Sequence, residues 1–171
     1  MPTSDQLIYN TTGLTATITL SSLVTATASA SNCWQGTVLD FGATRSELWL
    51  ARLQAAFIAA PTAGGTLDVY MAWSSASASL APNFPGGATG VDGNYPSPDA
   101  VPDNGLKQMD YIGSLVALAT GSIVAQIQNI GIFRAKERWG VPAVAMRTSQ
   151  VLSSASASHT LTFLDIRPQA Q

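Results

Sequence analysis

Apolar and polar residues alternate with a period of two along most of this chain. Over residues 67–73, Leu67, Val69, Met71 and Trp73 fall on one face of an extended chain, with Asp68 and Tyr70 on the other. Successive side chains of a strand point to opposite faces, so runs of this kind predict strands with one face buried. Residues 15–20, 35–41, 107–117, 123–133, 141–146 and 160–166 share the habit. In 123–133 the pattern aligns Ile123, Ala125 and Ile127 and sets Gln126 and Gln128 opposite them. Gly, Pro and Ser fill the breaks, as in Pro61-Thr-Ala-Gly-Gly65 and Gly121-Ser122. Short strands separated by turn signals predict a sandwich or a barrel.

Residues 44–60 read two ways. Thr44 and Glu47 fit a capping box, and Trp49, Leu53, Ala56 and Ala60 follow near helical spacing. Trp49, Ala51, Leu53, Ala55 and Phe57 equally share one face of a strand. The all-β neighbourhood favours the strand. That makes about eight strands, the jelly-roll number. The expectation is an all-β, antiparallel, jelly-roll-like β-sandwich in one domain, residues 14–167. An N-terminal arm (1–13) precedes it and a tail (168–171) follows. A chain of 171 residues can bury roughly two-thirds of its unfolded surface, so it needs no disulfides.

One stretch breaks the pattern. Residues 74–105 hold Pro82, Pro85, Pro96, Pro98 and Pro102 with Gly86, Gly87, Gly90, Gly93 and Gly105. Proline removes ladder donors, so this is no central strand. Loops of such length are usually functional or disordered. Phe84 and Tyr95 within it favour a packed excursion. Contacts with a partner are expected there, at Phe84, Tyr95, Pro82 and Pro85, and on the arm, at Leu7 and Tyr9. The competing reading is that both segments cover the sandwich's own edge strands.

Charged residues make up 11% of the chain, against about 25% in ordinary domains. High apolar content with little charge excludes disorder. The net charge of -2, without a Lys/Arg block, argues against a nucleic-acid partner. The scarcity of charge fits either a Ser/Thr/Ala surface or one covered by other subunits. The longest apolar stretch, 114–125, is interrupted by Gly121 and Ser122 and falls short of the roughly 20 residues of a membrane helix. Residues 1–5 lack the basic and apolar regions of a signal peptide, so synthesis in a cytosol is expected. The sequon at Asn10 is read as incidental.

Signals for chemistry are few. Cys33 stands alone and reads as a small buried hydrophobe. His159 precedes Asp165 by six residues, too far along a strand to hydrogen-bond, and is expected as an exposed strand-start histidine. One Cys and one His do not make a usual zinc site. Asp92, Asn94, Asp99, Asp103 and Asn104 gather oxygen ligands, but without EF-hand spacing, and such residues are common in turns. Gly86-Gly87-Ala-Thr-Gly90 lacks the Lys-Ser/Thr of a phosphate loop. No catalytic residue, metal or cofactor is therefore expected. Arg134, Lys136 and Arg138 form a basic cluster with Glu137, either a solvated turn or a salt-sensitive docking point for an acidic partner. Trp34, Trp49, Trp73 and Trp139 read mainly as core, and an exposed one would be an anchor or a sugar platform.

Several words resemble a group of small tailed-bacteriophage virion proteins. They are Asp40-Phe-Gly-Ala-Thr-Arg45, Pro61-Thr-Ala-Gly-Gly-Thr-Leu-Asp-Val-Tyr70 and Ala72-Trp-Ser74, then Asn83-Phe-Pro-Gly-Gly87, Leu106-Lys-Gln108, Tyr111-Ile-Gly-Ser-Leu115 and Gly131-Ile-Phe133. Proteins of that kind are similar to jelly-roll decoration, or cement, proteins of capsid shells. The resemblance spans residues 38 to 165 and implies a non-enzymatic homotrimer bound to the major capsid protein on the virion surface. It transfers no binding residue. A tail, head-fibre or baseplate component and a carbohydrate-binding sandwich module are the alternative readings.

Overall fold

The alternation resolves into two antiparallel sheets in the computed structural model, which describes residues 6–9, 13–23, 32–42, 48–77, 84–95, 102–119, 124–155 and 158–169. In chain order the strands are β1 (Gln6–Tyr9), β2 (Leu14–Thr15), β3 (Cys33–Gln35), β4 (Leu39–Asp40), β5 (Leu48–Ala56), β6 (Thr66–Ser74), β7 (Gly93–Asn94), β8 (Asp110–Val116), β9 (Ala125–Phe133), β10 (Trp139–Arg147) and β11 (Thr160–Gln169). A single short helix, α1 (Pro102–Leu106), accompanies them among the described residues. The first sheet runs β1-β11-β5-β9, with β2 also on β11. The second runs β7-β3-β10-β6-β8, with β4 also on β10. β1 with β2, and β3 with β4, are each one interrupted strand, and β7 belongs to the excursion. The remaining path visits the sheets in the order first, second, first, second, second, first, second, first. That is the winding of an eight-stranded jelly roll.

Long-range pairing decides the ambiguous segment. Leu48–Ala56 is a strand because it lies between two partners, with Leu53 opposite both Leu161 of β11 and Gln128 of β9. Residues 15–20 depart from expectation. Only Leu14–Thr15 joins a ladder, and Leu20–Ser22 forms a 3-10 turn. The reason is that this segment crosses between the sheets. Ala16 N donates to Leu161 O (2.9 Å) in the first, while Thr17 O accepts from Thr37 N (2.9 Å) beside the second. The termini also differ from an arm and a tail. Residues 6–9 form β1, whose backbone pairs with residues 166–169 of β11.

Two large cores follow from this layering, beside a small cluster of Leu50, Leu164 and Ile166. Between the sheets, Phe41 meets Trp49, Trp73, Phe133 and Phe163 with ring centroids 5.1 to 6.1 Å apart. On the outer face of the second sheet, the excursion lays Phe84, Ala88, Tyr95, Leu106 and Met109 over Cys33, Ala72, Val141, Ala143 and Ala145. The central strand β10 is therefore covered on both faces, which explains its continuous apolar run Val141-Pro-Ala-Val-Ala-Met146. No helix of the described residues is long and apolar enough to cross a membrane.

Candidate functional site

The two sheets meet along β8 and β9, which are edge strands of different sheets. Each carries an irregularity: the β6–β8 register shifts between Val69 and Tyr70, and the β5–β9 register between Ala51 and Arg52. These shifts bring Gly113 and Gly131 together. A Cβ on Gly113 would strike the Ile130 carbonyl oxygen, and one on Gly131 the Ile112 carbonyl oxygen. Further along, two glutamines act as ladder rungs. Gln128 accepts from Val116 N (3.0 Å) and donates to Val116 O (2.7 Å). Gln126 does the same for Leu118, at 2.9 and 3.0 Å. Free edge groups invite pairing with other chains, and these side chains satisfy them.

This arrangement inverts the expected burial of β9. Gln126 is buried and Ile127 is 59% exposed. Ile127 joins Tyr111, Val116, Leu118 and Ile132 as an exposed apolar band flanking the seam. Isolated exposed apolar residues are ordinary, but five on or beside two adjoining edge strands point to an interaction surface. At one end of the band a groove of about 510 Å³ opens between Tyr111, Ile112, Phe133, Arg134, Lys136 and Asp110.

The basic cluster is split by its partners. Lys136 Nζ lies 2.6 Å from Asp110 Oδ1, and Asp110 also accepts from Trp73 Nε1 (2.8 Å). Arg138 holds Asp40 through Nε and a terminal nitrogen at 2.9 and 2.8 Å, and its guanidinium sits 4.6 Å from the Trp139 ring centre. The Arg138 hydrogen bonds hold the Asp40 carboxyl below its ordinary range. Arg134 is exposed and makes no ion pair among the described residues, so it alone of the three offers an uncommitted charge.

The excursion carries the largest correction to the expected contacts. Phe84 and Tyr95 are 5% and 2% exposed, packed within the chain's own second core. Buried there, they present no surface to a partner. Tyr95 donates its hydroxyl to Gly86 O, and a Cβ on Gly105 would collide with that hydroxyl. Pro85 is half-buried at the start of the 3-10 turn Pro85–Gly87. Pro82 and the side chains of Leu7 and Tyr9 lie outside the described residues.

Polar anchors fix the excursion. Asp92 accepts from Thr19 N (2.9 Å), Thr19 Oγ1 (2.5 Å) and Trp34 Nε1 (2.7 Å). Gln35 and Thr89 exchange two hydrogen bonds of 2.6 and 3.0 Å. Arg147 on β10 bridges Asp68 of β6 (3.0 Å) and Asp103 of α1 (2.5 Å), and these carboxylates hold it firmly charged. Asp92 and Asp103 are thus held by different partners, Thr19 with Trp34 and Arg147. Asp99 lies outside the described residues, among which no group of three His, Cys, Asp or Glu side chains converges. Replacing Arg147 with Met unties α1 from the sheet and removes the counter-ion of buried Asp68. The pair is partly exposed, so a loss of about 1–2 kcal/mol is expected. Calorimetry measures it, and limited proteolysis should cut faster between residues 75 and 105.

His159 is also corrected. It is buried at the start of β11, not exposed. Its Nδ1 accepts from Ala56 N (3.3 Å), which assigns the proton to Nε2, and Nε2 donates to Ser153 O (2.7 Å). Both ring nitrogens are consumed by backbone, tying β11 to the end of β5. Cys33 is fully buried in the second core, and burial pushes its thiol up to about 12. Trp49 and Trp73 are buried and Trp34 and Trp139 half-buried, so none of the four forms an exposed platform.

These features define a jelly-roll sandwich whose titratable side chains mostly serve its own layers and whose most distinctive surface is an apolar, cation-tipped edge. No family model, no curated protein and no solved structure matches this chain.

Proposed function

We propose that this protein is a non-enzymatic capsid decoration protein of a tailed bacteriophage. In this reading it binds the major capsid protein on the outside of the shell as a homotrimer. The observation that carries the reading is the exposed apolar band on a rigid jelly roll, a surface that a lone chain leaves in water. The scarcity of charge and the dispersed words that resemble those of small virion proteins support it. Decoration needs a stiff scaffold and contact surfaces, and no bond-making chemistry. Because the protein would bind only the assembled shell, its binding free energy adds to shell stability by mass action. The load it resists is the outward pressure of packed DNA.

The test is co-sedimentation of the purified protein with expanded heads of its own phage. Saturable binding, with a rise in the melting temperature of the heads, is expected. Heads that sediment without it at saturating protein overturn the reading.

A further inference from the structure

We propose that copies of this chain join head to tail, the β8–β9 edge of one seated on the β7 edge of the next. The proposal deepens the oligomer invoked above and rests on that reading only for the shell, since the self-contact is measurable without one.

The two edges lie on opposite sides of the same sheet. They are also level with each other. Tyr111 of β8 pairs with Tyr70, Tyr70 with Ala143, Ala143 with Gln35, and Gln35 with Gly93 of β7. One row of the sheet therefore runs from Tyr111 at one edge to Gly93 at the other. Beside Gly93 stand Val91, which at 66% is the most exposed of the large apolar residues among those described, and Asp92. Asp92 accepts three hydrogen bonds from neutral donors and meets no cation among the described residues. Beside Tyr111, across the groove, stands Arg134, equally without an ion pair. So one edge presents an apolar residue with an uncompensated anion. The other presents apolar residues with an uncompensated cation at the same height.

Charge complementarity selects the occupant. A two-fold contact of band on band would bury the band but leave Asp92, on the far edge of the sheet, without a cation. A head-to-tail contact pairs Arg134 with Asp92 and covers Val91 with Tyr111 and Ile132. In a chain with so few charges, two uncompensated ones at matching heights are a strong orienting element. The contact is made by side chains, because Gln126 and Gln128 already occupy the outward backbone groups of Val116 and Leu118. Head-to-tail contacts close into rings when the rotation between copies allows it, and otherwise grow as filaments.

The test is a charge exchange read by size-exclusion chromatography with light scattering, without capsids. The native chain should give a discrete multiple of its 17.8 kDa mass. Val91→Lys and Arg134→Glu, both at exposed positions, should each weaken association by about tenfold or more. The double variant should recover part of it, because the new lysine faces the new glutamate across the contact while Asp92 stays in place. A native monomer, an oligomer indifferent to both substitutions, or loss without recovery would each overturn the proposal; circular dichroism excludes misfolding as the cause. Heads that bind a native monomer would overturn this contact and leave the decoration reading standing. A charge-dependent ring that ignores heads would do the reverse.

Discussion

Phe41→Ala should lower the stability of this protein by about 3–5 kcal/mol, the range for deleting a large buried ring. Phe41 follows β4, in the turn between the second sheet and the first, and is 4% exposed. Its ring contacts Trp73 of the second sheet and Trp49, Phe133 and Phe163 of the first. Aromatic pairs contribute about 0.5–1.5 kcal/mol each beyond burial, which places this site at the upper end of the range. The surroundings cannot collapse onto the gap, because four rings from two sheets line it. Gly140 forms its floor, and a Cβ there would sit 2.8 Å from Met71 Sδ and 2.9 Å from the Phe41 ring. At roughly 2–4 °C per kcal/mol for a chain of this size, the midpoint of thermal unfolding should fall by about 10 °C. Phe41→Leu should lose less than half as much. Ile127→Ser, at an exposed position, should shift stability by less than about 0.5 kcal/mol. A Phe41→Ala variant melting with the native protein would mean that the sheets are held together elsewhere.

The sandwich was legible in the sequence because period two survives wherever a strand buries one face. Leu67, Val69, Met71 and Trp73 are the inner face of β6, as their spacing says. Legibility fails where a strand has two buried faces or none in the ordinary sense. In β10 the excursion covers the outer face, so the alternation fades into a continuous run. In β9 the alternation is clear and its meaning inverts, because Gln126 and Gln128 turn inward to close an edge while Ile127 turns out. Hydrophobicity assigns the glutamines to water. Only the position of β8 reveals their backbone partners, and that position is a long-range fact. The crossing at residues 15–20 fails for a related reason: extended backbone can hydrogen-bond to two sheets in turn and belong to neither ladder.

The candidate site was less legible. The aromatics of the excursion, Phe84 and Tyr95, were expected to meet a partner because a long loop must have a use. Their use is internal, covering Cys33, Ala72 and β10. A contact role and a covering role demand the same residue types, and only burial separates them. The basic cluster was visible as three charges, but its sequence does not say that Asp110 and Asp40 claim two of them. Asp40 lies 98 residues before Arg138. Arg134 is singled out by subtraction, and subtraction needs the fold.

Gly131→Ala should be strongly damaging for the addition of a single carbon. The new Cβ would strike the carbonyl oxygen of Ile112, the bulged residue of β8 held between Tyr111 and Gly113, which both pair with β6. Overpacking of this kind costs about 1–3 kcal/mol and more where backbone must move. Here relief requires the seam to open, and opening has a second consequence. The four hydrogen bonds that Gln126 and Gln128 exchange with the backbone of Leu118 and Val116 lie on the same seam and lengthen with it. A loss near 3 kcal/mol is therefore expected, within about the range for combined strain and broken hydrogen bonds. Hydrogen exchange localises it: the amides of Val116 and Leu118 should lose protection in Gly131→Ala while that of Val144, in the middle of β10, changes only with global stability. Gly113→Ala should reproduce the pattern from the opposite strand, since its Cβ meets the Ile130 carbonyl. Gly93→Ala is the control, because its Cβ would find only the Val91 oxygen at 3.9 Å. Uniform loss of protection across both sheets would show that the seam is no separate unit. Unchanged protection at Val116 and Leu118 would show that the two edges part without disturbing the glutamine rungs.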